Sequence, residues 1–250
     1  MNTALPQPLS LPWELKPVSS ARAGSEVLED GRLKFWIKHD TIKGVTPAML
    51  VWWFSNLEGD VEVDGRMLNR YRVWHPFDHV HARYVRRLAD GSIGPGAQIE
   101  LLEYLGRNPK YKVDIVTTIE KLDEEGYIHN PVSHGVSLAR MEYTFRETGD
   151  GTVYENCLIV PRDHGSWFFR KVVVPILFPE SKGQAWIKHN VEEVGCFENF
   201  LPSLYRAHTG TDSTKARLEA IAGRFRGARP EHRPSNTGSL VDRSEDRRGM

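Results

Sequence analysis

The stretch Gln184 to Tyr205, QAWIKHNVEEVGCFENFLPSLY, constrains this chain more than any other, because it sets a histidine and a carboxylate one turn apart inside an apolar helical stripe. At about 100° per residue, Trp186, His189, Glu193, Cys196, Phe197, Phe200 and Leu204 share one face, while Lys188, Glu192, Gly195 and Glu198 lie mostly on the other. His189 and Glu193 therefore point where a core should be. An ionised carboxylate in such a place is costly unless a cation or a metal compensates it, so the pattern asks for a partner.

The composition is that of a globular protein: 250 residues, 40% hydrophobic with 7 Trp, are ample for a packed core. Lys and Arg number 33 against 33 Asp and Glu, which removes any whole-chain attraction to nucleic acid or to an acidic membrane. Cys157 and Cys196 form no C-x-x-C pair, so neither a disulfide framework nor a thiolate zinc finger is indicated and a reducing compartment is expected. The N-terminus has no basic region leading into a long apolar run, and no segment approaches the ~20 apolar residues of a membrane span. The expectation is a cytoplasmic protein with a small-molecule partner, acting alone or as a homodimer.

Pro6, Pro8, Pro12 and Pro17 make residues 1–30 read as an extended arm. Thr46-Pro47 ahead of AMLVWWFSNLEG provides a helix cap and a proline at the first helical position. From Arg66 to Phe178 the pattern turns strand-like, including MLNRYRVWH, HARYVRRL, AQIELLEYL and GTVYENCLIV, with a hairpin signal at Thr148-Gly149-Asp150-Gly151-Thr152. Successive strands without intervening helices predict a mainly antiparallel sheet covered by the amphipathic helix, an α+β fold. The compact domain is expected over 31–207, and the polar composition of 208–250 reads as a disordered tail.

Zinc and similar metals need three or four His or carboxylate ligands converging on a point, often two from one element. His189 and Glu193 meet that need as an i, i+4 pair, although a histidine satisfied by a local acid has the same spacing. Tyr71-Arg-Val-Trp-His75-Pro-Phe-Asp-His79-Val-His81 holds three histidines, and Pro76 with Asp78 suggests a bend from which His75 or His79 turns inward. His81, beside Arg83, reads as a surface residue. In Gln98-Ile-Glu100-Leu-Leu-Glu103, period two groups Glu103 with Ile99 and Leu101, again directing a carboxylate toward an apolar face. His134, in the loop Asn130-Pro-Val-Ser-His134-Gly, has the setting of a general acid or base. No phosphate loop, G-x-S-x-G elbow or H-E-x-x-H is present.

In order and spacing, GVTPAMLVWWFSNLEGD, YRVWHPFDHV, IELLEY and HNVEEVGCFENFLPSLY resemble the 2,4-diacetylphloroglucinol hydrolase family over roughly residues 44–206. The resemblance implies a Bet v 1-like, helix-grip fold, a curved antiparallel sheet around a long C-terminal helix. It implies hydrolysis of a carbon–carbon bond between an acyl group and a phenolic or β-diketone carbon, in an aromatic ketone or polyketide substrate. It further implies Zn2+ held by His79, Glu103, His189 and Glu193, with Tyr71 bonding a substrate oxygen, His134 as an active-site histidine, and a second tyrosine at Tyr143 or Tyr154. Proton transfer would fall to His134 or His75. Ala82 stands where a polar amide is expected, a departure that bears on the substrate. The same residues would also suit a metal-dependent tautomerase, dehydratase or cyclase of polyketide-like compounds, and the implied fold a non-catalytic carrier of apolar ligands.

Overall fold

The computed structural model describes residues 5–133, 136, 137, 139–160 and 179–210. The chain divides into Met1–Thr209 and Gly210–Met250; the segment read as a tail lies, from residue 211 on, outside the described residues. Within the first unit the strands are β1 (Ala21–Val27), β2 (Leu33–His39), β3 (Ile42–Lys43), β4 (Asp60–Val63), β5 (Arg66–Asn69), β6 (His79–Arg86), β7 (Gln98–Tyr104), β8 (Lys112–Asp123), β9 (Gly126–Ser133), β10 (Val136–Ser137), β11 (Arg140–Thr148) and β12 (Gly151–Val160). Among the described residues, three α-helices accompany them: α1 (Pro47–Ser55), α2 (Arg70–Trp74) and α3 (Glu180–Thr209). The main sheet runs β1-β2-β12-β11-β9-β8-β7-β6, antiparallel throughout, with β3 on β12 and β10 on β9; β4 and β5 form a separate hairpin. The architecture is α+β, a large antiparallel sheet with a long C-terminal helix, as expected.

Local chemistry explains most of these elements. Thr46 Oγ1 accepts the Met49 N–H at 3.3 Å and Pro47 opens α1, so the cap works as its sequence predicts. The β11–β12 hairpin turns at Gly149-Asp150 and places Tyr143 opposite Asn156 and Phe145 opposite Tyr154. The expected strand MLNRYRVWH divides instead: β5 ends at Asn69, whose side chain accepts the Arg72 N–H at 3.2 Å and starts α2. His75 then returns to extended backbone, as the following Pro76 requires, and ends the helix after five residues. Asparagine capping outcompeted alternation over this short stretch.

All seven residues assigned to the apolar face of α3, from Trp186 to Leu204, are buried. The opposite face departs from expectation. Gly195 is buried beneath Lys16, Glu198 accepts from the Lys43 N–H and pairs with Lys16 at 2.8 Å, and Glu192 reaches His75. The helix is covered on more of its circumference than one stripe implies because the N-terminal residues also cross it. Trp13 stacks on Phe200 at 6.2 Å, and the Leu9 N–H donates to the Pro76 carbonyl at 3.1 Å. Part of the segment expected as an arm is thus strand: Ala21–Val27 pairs with β2 at the sheet edge. Between sheet and helix, Trp53, Trp74, Phe197 and Phe200 meet edge to face or stacked at 5.1–5.9 Å, and Phe54 stacks on Tyr127 at 4.5 Å, joining α1 to β9.

Near the start of α3, a Cβ on Gly183 would stand 2.2 Å from the ring of buried Phe35. Alanine gains about 1 kcal/mol over glycine within a helix. Overpacking against a ring that cannot move costs about 1–3 kcal/mol, which reverses the sign. Gly183→Ala is expected to lower the thermal midpoint by a few degrees, at roughly 2–4 °C per kcal/mol for a domain of this size. A raised midpoint in scanning calorimetry contradicts this packing.

Candidate functional site

Four elements deliver side chains to one point at the β6–β7 end of the sheet. His79 begins β6 and stands directly opposite Glu103 of β7 in register. The pairing slips between His79 and His81, a bulge that re-aims the strand. Without it, period two would put both histidines on one face; with it, His79 is completely buried while the side chain of His81 is 40% exposed beside Glu100. Helix α3 brings His189 and Glu193, both buried, and α2 brings Tyr71, whose ring stacks on His79 at 3.8 Å.

The imidazole nitrogens are already sorted. His79 Nδ1 lies 2.8 Å from the Tyr71 carbonyl and His189 Nδ1 lies 2.9 Å from Asp78 Oδ2, so each Nδ1–H donates outward and each Nε2 faces the centre. There, His79 Nε2 is 3.4 Å from Glu193 and 3.7 Å from Glu103, while His189 Nε2 is 3.5 Å from Glu193 and 3.7 Å from Glu103. Ligand atoms about 2.0–2.1 Å from a tetrahedral metal stand about 3.3 Å apart, close to these separations. His79 Nε2 is buried and makes no hydrogen bond. Two buried imidazoles and the buried Glu193 carboxylate, with ligand atoms within 4.8 Å of one another, one nitrogen without a partner and the part-buried Glu103 beside them, fit a divalent cation. Tyr71 Oη–H donates to Glu103 Oε1 and holds that carboxylate in place.

The electrostatics agree with this sorting. Burial would push His189 down, but the Asp78 hydrogen bond and the Glu193 carboxylate outweigh it and hold the imidazole well above the ordinary histidine range. Burial would raise Glu193, yet His189 and His79 bring it down to about 2. Asp78 likewise is held well below the usual carboxylate range, burial being outweighed by His189 and His75. Without a metal, the His189 proton is the charge that balances the carboxylates; a divalent cation would displace it. Tyr71 is held well above its usual value by burial and by Glu103, so the phenol stays protonated.

His75, read from sequence as a proton carrier, is buried with both nitrogens engaged: Nδ1 accepts the Asp78 N–H at 3.2 Å and Nε2 faces Glu192 at 3.3 Å. Burial and the neighbouring His189 push it down to about 4, so it is neutral. Glu192, assigned by periodicity to solvent, is tied to His75 and to Lys188 at 2.7 Å. His134 lies outside the described residues. His129 on β9, which no motif in the sequence marks, is buried between Tyr127 and Tyr143, with Thr117 Oγ1 at 2.6 Å from Nδ1 and Tyr143 Oη at 3.4 Å from Nε2. Burial pushes it down to about 3, against the pull of Glu193. Tyr143 and Tyr154 are both buried; Tyr143 meets His129, whereas Tyr154 Oη has no hydrogen-bond partner among the described residues. No local signal in the sequence marks His129: sheet register places it opposite Met141 and two pairs from Tyr143, which faces Tyr127.

Residues 15–111 match the family model described as DAPG hydrolase PhiG domain, the family whose motifs the sequence resembles. That segment carries Tyr71, His75, His79 and Glu103. The comparison with curated proteins returned no match. Similar solved structures include Ara h 8.0201, at 13% identity and TM-score 0.44 over 69% of this chain and 99% of that one. Protein Ms6760 from Mycobacterium smegmatis matches at 13% and 0.41, over 75% and 99%. A START superfamily protein from Mycobacterium smegmatis matches at 12% and 0.37, over 67% and 99%. Among the described residues, no helix is long and apolar enough to cross a membrane.

His75 and His129 are held near pH 4 and 3 in the fold, whereas an unfolded histidine titrates near ~6.5. Their stabilising contribution is present above about 6.5 and is lost as pH falls through the folded values. His189, raised, contributes below about 6.5 and loses its contribution at higher pH, so it does not mask the acid limb. Denaturant titrations of metal-free protein are expected to show stability falling between pH 6.5 and 4, by up to about 1.4 kcal/mol per pH unit for each of these two and for His39, which burial also pushes down to about 4. A flat profile over that window contradicts the neutral, buried state.

Proposed function

We propose, from the match of residues 15–111 to the DAPG hydrolase PhiG domain, that this chain is a zinc-dependent hydrolase cleaving the bond between an acyl carbon and a phenolic ring or β-diketone carbon. The observation that supports it most is the convergence of His79 and His189 Nε2 on Glu103 and Glu193 at 3.4–3.7 Å, with His79 Nε2 lacking any hydrogen bond. A zinc ion held by these four residues would supply Lewis acidity to an acyl oxygen and to the attacking water.

The chain's own groups divide the remaining work. The phenolic ring shifts a proton from oxygen to its acyl-bearing carbon and becomes the keto tautomer. Water adds to the acyl carbon, the carbon–carbon bond breaks, its electron pair restores the aromatic ring with charge on the ring oxygen, and that oxygen is reprotonated. Acid and deacylated phenol leave. Glu103 stands farther from the imidazoles, 3.7 Å from both against 3.4 and 3.5 Å for Glu193, and is oriented by Tyr71; it takes the water proton. The His129–Tyr143 pair, within reach of the Glu193 field, orients the phenolic oxygen and carries the second proton transfer. His75 holds its neighbours rather than carrying a proton: its nitrogens are tied to the Asp78 N–H and to Glu192, whereas those of His129 meet two hydroxyls that can pass a proton on.

His189→Ala and Glu193→Ala are each expected to lose stoichiometric zinc, read by elemental analysis after gel filtration; full retention in both rejects the ligand set. Zinc-loaded protein should convert an acylphloroglucinol to the carboxylic acid and the deacylated phenol, with one oxygen of the acid drawn from labelled water. Turnover that survives complete removal of the metal rejects the zinc mechanism. His129→Ala is expected to lower kcat by about 10²-fold or more with zinc content unchanged. An unchanged kcat removes His129 from the reaction.

A further inference from the structure

We propose that Asp78 is the positioning residue of this centre: by holding the Nδ1–H of His189 it makes a helix residue into a ligand, so that the turn between α2 and β6 sets both imidazoles. The inference rests on the metal-binding reading above and adds a residue to it. The side chain of Asp78 is 3% exposed, and three donors meet its two oxygens. Oδ2 accepts the His189 Nδ1–H at 2.9 Å and the Gly106 N–H at 2.8 Å; Oδ1 accepts the Arg107 N–H at 3.1 Å.

The cradle for this carboxylate is built into the backbone. Gly106 and Arg107 have φ of +61° and +57°, consecutive left-handed residues whose N–H groups turn to the same anion. Arg107 is not glycine, and a side chain seldom takes that conformation without restraint. Its guanidinium is anchored on the Phe77 carbonyl at 2.9 Å and the Pro6 carbonyl at 3.2 Å. The Asp78 backbone is fixed as well, its N–H donating to His75 Nδ1 and its carbonyl accepting the Tyr104 N–H at 2.9 Å.

His75 completes the hold. Its ring stacks on His189 at 4.4 Å and 11°, so the plane of His189 is set by His75 and its rotation about that plane by Asp78. An unbraced histidine offers either nitrogen to a metal; with Nδ1–H committed to a carboxylate, Nε2 is the donor and its basicity rises. His79 is held by a neutral carbonyl instead. The motif Trp-His-Pro-Phe-Asp-His thus provides one ligand, His79, and the brace for another that lies 111 residues from Asp78.

The test uses the full chain with 15N-labelled histidine. Metal-free wild-type protein should show a slowly exchanging His189 Nδ1–H proton and a similar one on His79. Asp78→Ala and Asp78→Asn should lose the His189 signal or its slow exchange, keep that of His79, and bind zinc about 10–100-fold more weakly by chelator competition. Asparagine cannot replace the carboxylate, because its amide group must face one of three donors. A general loosening of the fold would move both histidine signals, so selective loss marks positioning. Asp78→Asn with wild-type histidine signals and zinc affinity within about threefold of wild type overturns the proposal, as does a zinc-loaded wild-type protein with His189 Nδ1 unprotonated. If Asp78→Ala does not fold, the asparagine variant and the wild-type spectrum decide. Wild-type protein that takes up no zinc overturns the metal reading, a failure distinguished from this one by the His189 signal, which needs no metal.

Discussion

An ionised Glu193 on the buried face of α3 is the constraint that the rest of this corner answers. In an apolar interior a carboxylate must be matched by cationic or donor groups, and every one supplied creates a new requirement. His189, one turn away, needs Asp78; Asp78 needs the paired N–H groups of Gly106 and Arg107; Arg107 needs carbonyls to hold its strained backbone. Successive shells of hydrogen bonds thus carry the demand outward, from the helix to the sheet end and on to the N-terminal residues. The aromatic layer of Trp53, Trp74, Phe197 and Phe200 keeps water from relieving it.

Three irregularities of the fold gather at the same corner. They are the five-residue helix α2, the bulge after His79 and the left-handed pair at Gly106-Arg107. Each re-aims a side chain: Tyr71 onto His79, His79 into the interior, Asp78 onto His189. The segment that matches the DAPG hydrolase PhiG domain contains all of these and two of the four proposed ligands; the other two lie on α3, beyond it. The four side chains meet only where these two parts of the chain pack together.

Legibility followed the range of the interaction that decides each feature. The buried face of α3, the Thr46-Pro47 start of α1 and the Gly149-Asp150 hairpin depend on neighbours a few positions away, and were readable as such. The strand expected through Tyr71 was not, because one asparagine cap redirected the backbone where alternation was short. Glu192 was placed toward solvent because periodicity sees only one helix, whereas His75 arrives from another element. His129 was overlooked since a lone histidine in a strand carries no local sign of the threonine and tyrosines that meet it.

By itself the sequence determined that a histidine and a carboxylate would sit on the apolar side of a long helix, and that several strands would be available to cover them. It did so because helical and strand periods are properties of the backbone alone. Only the tertiary structure decided which nitrogen of each imidazole faces the centre, that Asp78 rather than a surface acid holds His189, and that both nitrogens of His75 are engaged. Those outcomes depend on donors and acceptors far apart in the chain, whose meeting is set by sheet register, a bulge and the seating of α3.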